Sequence, residues 1–93
     1  MIPGMRKKEI KPSEKIKIYT LVDNTAGYGY QAEWGLSFYI EYSGRKMLFD
    51  TGMTSIASKN ARFARIDLSS IDTIILSHGH NDHTGGLPDI LKY

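Results

Sequence analysis

Apolar and polar positions alternate along Lys15-Ile16-Lys17-Ile18-Tyr19-Thr20-Leu21-Val22 and then become continuously apolar, which predicts a first strand over 15–22. Asp23-Asn24 ends it. A loop over Thr25–Glu33 follows, with Gly27-Tyr28-Gly29-Tyr30 at its centre; it reads equally as a ligand-rim loop or an ordinary connection. Trp34–Tyr42 alternates again. Leu36, Phe38 and Ile40 fall on one face, and Ser37, Tyr39 and Glu41 on the other, which predicts a second strand. Tyr39 and Tyr42 read as packing residues. Ser43-Gly44-Arg45 is turn chemistry, and Lys46–Phe49 is the return arm of a hairpin. Ser55–Phe63 has its apolar residues near helical spacing, with Ser and Thr ahead as caps. A turn over Asp67–Asp72 leads into Thr73–Leu76, apolar throughout, which predicts an interior strand buried on both faces. Gly85–Leu91 begins a further helix, with Pro88 tolerated in its first turn.

With 93 residues the chain holds at most one small domain, a modest core in an α/β layered arrangement. Pro3, Gly4 and Pro12 break any regular element in residues 1–14, which read as a flexible basic leader ahead of a domain over 15–93. The net charge of +2 belongs to that leader. Arg6, Lys7, Lys8, Lys11 and Lys15 against Glu9 and Glu14 give the first 15 residues +3, so the remainder carries −1. No basic face with interleaved aromatics remains, so nucleic acid is not an expected partner. No apolar run approaches a membrane span, and no secretory signal is evident. The absence of cysteine excludes disulfides and thiolate ligands and fits a cytoplasmic protein.

The candidate chemistry lies in Ser77-His78-Gly79-His80-Asn81-Asp82-His83-Thr84-Gly85-Gly86, which contains all 3 histidines of the chain. A single histidine is ordinarily a surface or satisfied core residue. Three with an aspartate inside six residues are poor core material and good ligand material for zinc, iron or manganese. Gly79 is expected to turn the backbone so that the side chains converge. Four donors on one loop can serve two ions, and two metals roughly 3.5–4 Å apart form a known hydrolytic arrangement. Asp50-Thr51-Gly52 reads by itself as a tight Asx-type turn.

The run His78-Gly79-His80-Asn81-Asp82-His83 resembles the His-x-His-x-Asp-His signature of the metallo-β-lactamase superfamily, and the likeness extends from about Lys15 to Leu91. The resemblance implies an αββα sandwich, of which this chain would supply the N-terminal part: one mostly antiparallel or mixed sheet with covering helices. It implies that His78 and His80 serve a first ion and Asp82 and His83 a second, most simply two Zn, with Fe or Mn as alternatives. A metal-activated hydroxide, positioned by Asp82, would attack an ester, amide or phosphoester centre of a small-molecule substrate. Asp50 matches the family's short aspartate motif and would brace the ligands from beneath without touching the metal. Glu33–Glu41 with Leu48–Gly52 is similar to one subgroup, related to the synthase of a ribofuranosylaminobenzene phosphate adduct in methanopterin biosynthesis. The chain departs from that subgroup at Trp34, where histidine is usual.

The family draws further ligands from its later half, and no histidine follows His83 here. Three readings therefore stand: the N-terminal part of a metal-dependent hydrolase or of a synthase of the methanopterin type, a weak metal-binding module, and an inactive truncated fragment. The strand face carrying Leu36, Phe38 and Ile40 is expected to remain bare, and either the missing C-terminal half or self-association would cover it.

Overall fold

The computed structural model describes residues 15–93. The expected leader, 1–14, lies outside the described residues. Four strands form one mixed sheet in the order β1 (Lys17–Val22), β2 (Ser37–Tyr42), β3 (Arg45–Phe49), β4 (Thr73–Ile75). The first three pair antiparallel, and β4 lies parallel to β3. The β2–β3 hairpin closes through Ser43 (φ 50°) and Gly44 (φ 78°), the left-handed pair that matches strand twist in a two-residue loop. Helix α1 (Ile56–Phe63) crosses from β3 to β4, a connection parallel strands require. Two single-turn helices follow β4: α2 (Asn81–Thr84) and α3 (Leu87–Ile90).

One sheet face is covered. Tyr39 opposes Leu48, which opposes Ile74, and with Leu21 and Val22 these pack against Ala57 and Ala61 of α1, Leu68 and Ile90. Alanines four residues apart put a smooth stripe on the helix, so backbone and sheet approach closely. Tyr39 is a core residue, as its packing role requires, and its hydroxyl meets Glu41 Oε1 at 2.8 Å. Burial, reinforced by that carboxylate, raises the phenol above its ordinary pKa, so it stays neutral.

The other face has no helix among the described residues. Ile18, Ile40 and Met47 form one cross-strand row, and Phe38, Phe49 and Ile75 the next. The polar-looking face of β2 is thus the buried one: Ser37 is fully buried and donates to Asp50 O at 2.8 Å, while Phe38 and Ile40 are half-buried.

Three expectations need correction. Thr73–Leu76 is not an interior strand. β4 pairs with β3 alone among the described residues, and Ile75 is 43% exposed. Its run is apolar on both sides because Ile74 joins the core while Ile75 lies on the bare face. The second strand starts at Ser37 rather than Trp34, because Leu36 bonds elsewhere: its N–H donates to Asp82 O and its carbonyl accepts from Gly52 N. At α1, Ser55 occupies the cap position without a side-chain cap bond; Thr54 Oγ1 accepts from Ile56 N instead, at 3.4 Å.

Candidate metal centre

The ends of β1, β3 and β4 and the start of β2 lie at one end of the sheet, and the His-rich stretch leaves from there. Asp50 N donates to Ile75 O at 2.8 Å, so the turn after β3 stays tied to the end of β4. Asp50 is fully buried and takes a left-handed backbone (φ 57°), a conformation aspartate tolerates better than most residues. Its side chain is directed at the stretch it was expected to brace. Oδ1 accepts from Ser77 N and Oδ2 from Ser77 Oγ, both at 2.7 Å, and His83 Nδ1 lies 2.7 Å from Oδ2. Burial works to raise this carboxyl, but the Ser77 hydroxyl and amide and His83 together outweigh it, holding Asp50 below its ordinary pKa and ionised.

This network assigns the imidazole protons. An ionised carboxylate only accepts, so His83 Nδ1 donates to Asp50. The single proton of Ser77 Oγ goes to Asp50, so at 2.8 Å the hydroxyl accepts from His78 Nδ1. In both rings Nδ1 is engaged, which in the neutral imidazole leaves the Nε2 lone pair for another partner. Nε2 of His83 faces Asp82 Oδ2 at 3.3 Å. The rings converge: His78 lies 4.7 Å from His80 and 4.2 Å from His83, centroid to centroid.

The convergence has a different cause from the one expected. Gly79 takes no positive φ, and a Cβ there would meet nothing within 4 Å. Instead the second half of the motif is a helical turn, with His80 as the N-cap residue of α2 and His83 N and Thr84 N both bonded to His80 O. That turn is seated on backbone. Thr51 N donates to His83 O at 2.8 Å, Leu36 N to Asp82 O at 3.2 Å, and Gly86 N to Gly52 O at 3.0 Å. Glycine is required at this seat. A Cβ on Gly85 would stand 2.2 Å from Met53 O, and one on Gly86 2.2 Å from Thr51 O.

His78, His80, Asp82 and His83 therefore lie together above Asp50. Among the described residues, no group of three or more His, Cys, Asp or Glu side chains is arranged to hold a single ion. Imidazole and carboxylate donors are of the types a divalent metal takes. Sequence reasoning gave Ser77 no role of its own, and its place directly before His78 is the only signal it carries.

A sequence profile of the Metallo-beta-lactamase superfamily matches residues 35–93. The chain is 44% identical over 86 residues to the 7,8-dihydropterin-6-methyl-4-(beta-D-ribofuranosyl)-aminobenzene-5'-phosphate synthase of Methanocaldococcus jannaschii, covering 85% of this chain and 29% of that one. It is 39% identical over 56 residues to ribonuclease Z of Nanoarchaeum equitans, covering 60% and 17%. The fold superposes on the crystal structure of a metal-dependent hydrolase of the beta-lactamase superfamily with a TM-score of 0.67 and 38% identity, covering 78% of this chain and 26% of that one. The chain thus spans under a third of these relatives' length.

Proposed function

The chain belongs to the metallo-beta-lactamase superfamily, and from that premise we propose that it carries the metal-binding segment of a metal-dependent hydrolase acting on a small-molecule ester, amide or phosphoester. One observation carries the reading. His83 Nε2 and Asp82 Oδ2 stand 3.3 Å apart, while Nδ1 of the same ring is committed to Asp50. Two acceptors facing each other at that distance repel unless a proton or a cation lies between them. A divalent ion satisfies both, and His78 and His80 form a second pair beside them. His78 and His80 would hold one ion and Asp82 and His83 another, as zinc, iron or manganese. Such ions, when bound, acidify water and polarise carbonyl or phosphoryl oxygens. The chain's own part is to fix the donors. The buried Asp50 carboxylate orients His83, Ser77 relays the same carboxylate to His78, and Asp82 stands ready to accept a proton or orient a water.

A catalytic zinc site typically takes three protein ligands. With two per ion, the 93-residue chain is expected to bind weakly and turn over little. Covering its bare sheet face, by further polypeptide or by self-association, would also shield the site from water. A cytoplasmic location belongs to the same proposal, and among the described residues no helix is long and apolar enough to cross a membrane. A second reading, a part of a methanopterin-type synthase, is favoured by the likeness to the archaeal synthase.

Zinc titration by calorimetry tests the site. Saturable binding whose stoichiometry or affinity falls in His80→Ala and in His83→Ala supports it. No binding, or equal binding in both variants, overturns it. Assays with simple ester and phosphodiester substrates, on a longer chain containing these residues, separate hydrolase from synthase.

A further inference from the structure

Glu33 ends the 25–33 loop, its N–H on Asp23 O at 3.2 Å. Its carboxylate reaches back beneath the turn that follows Asp50. Oε1 accepts from Met53 N at 2.9 Å and Thr54 N at 3.0 Å, and Oε2 from Thr54 Oγ1 at 2.6 Å. These amides precede α1 and have no helical acceptor of their own, and a carboxylate supplies charge-assisted bonds to both. Gly52 is packed onto the same oxygen, since a Cβ there would lie 3.0 Å from Glu33 Oε1.

The turn held by Glu33 is the seat of the His-rich stretch. Thr51 donates to His83 O through both its N–H (2.8 Å) and its hydroxyl (3.1 Å), and the Met53 carbonyl is the surface against which Gly85 packs. We propose that Glu33 is a positioning residue for His83: its carboxylate sets residues 51–54, and those residues set the height and orientation of α2 over Asp50. The consequence for metal affinity rests on the metal-centre reading above, whereas the positioning itself rests on the hydrogen bonds.

The test uses the 93-residue chain with Glu33→Ala, Glu33→Gln and, as a control, Asp72→Asn, which removes a well-bonded carboxylate at the opposite end of the sheet. Three readouts are followed: amide exchange at Thr51, Met53 and Thr54; the His83 Nδ1 resonance; and zinc affinity. In Glu33→Ala all three amides exchange faster, the resonance moves, and zinc affinity falls about 10–100-fold. Glu33→Gln, which keeps one oxygen for the amides, falls between, and it decides the matter if the alanine variant does not fold. Asp72→Asn lowers the melting temperature and leaves the three readouts in place. Unchanged Thr51 exchange and His83 resonance in both Glu33 variants overturn the proposal, as does an equal response in Asp72→Asn. If the wild-type chain takes up no zinc, the metal reading fails, and exchange and resonance still decide the role of Glu33.

Discussion

Asp50 combines three costly features: full burial, a negative charge and a left-handed backbone. They are tolerated together because the Ser77 amide and hydroxyl and His83 supply three hydrogen bonds. Asp50→Asn removes the charge and turns one acceptor into a donor, which faces Ser77 Oγ and His83 Nδ1 if it replaces Oδ2 and Ser77 N if it replaces Oδ1. Zinc affinity is expected to fall about 10–100-fold by calorimetry, and urea unfolding to show a loss of about 1–3 kcal/mol. The aspartate was visible in the sequence, but its partners were not, since 27 residues separate it from Ser77. Glycine was misjudged at this scale. The motif's own Gly79 makes no conformational demand, while Gly86 lies where a methyl group would meet Thr51 O. Gly86→Ala is expected to cost about 1–3 kcal/mol by the same measurement, with Gly79→Ala near neutral.

Elements were legible where one periodicity held. The β2–β3 hairpin, α1 and α3 follow from alternation, turn residues and helical spacing. The start of β2 was not legible, because hydrogen bonds to Gly52 and Asp82 claim Leu36. At the far end of the sheet, Asp72 ties β4 to β3. Its carboxylate accepts from Arg45 Nε and Nη2, from Lys46 N and from Thr73 Oγ1. Arg45 first, then the Lys46 amide and the Thr73 hydroxyl, hold it well below the usual carboxylate range. A depressed folded-state pKa stabilises the fold above the unfolded value, about 3.9, and that stability is lost as pH falls toward the folded value. Urea unfolding is therefore expected to show stability dropping below about pH 4, with a shallower drop in Asp72→Asn.

At the scale of the whole molecule, the sheet is half covered. Rows Ile18–Ile40–Met47 and Phe38–Phe49–Ile75 leave an apolar face with no helix over it among the described residues. Faces of this kind drive association. The 93-residue chain is expected to sediment as an oligomer, and Ile40→Lys with Phe49→Lys to shift it toward monomer with its circular dichroism retained. A wild-type chain that stays monomeric at high micromolar concentration would contradict this.

Local chemistry determined what the sequence could reveal alone. The ligand types, their spacing, the alternating strands and the hairpin turn depend on residues a few positions apart, so they are written in order along the chain. The tertiary structure decided the rest: that β4 lies at an edge among the described residues, that α2 rather than Gly79 gathers the imidazoles, and that Ser77 joins Asp50 beneath them. Each of these depends on hydrogen bonds and contacts between segments distant along the chain. Such pairings are set by which surfaces the folded chain can bury together, and no periodicity in the sequence records them.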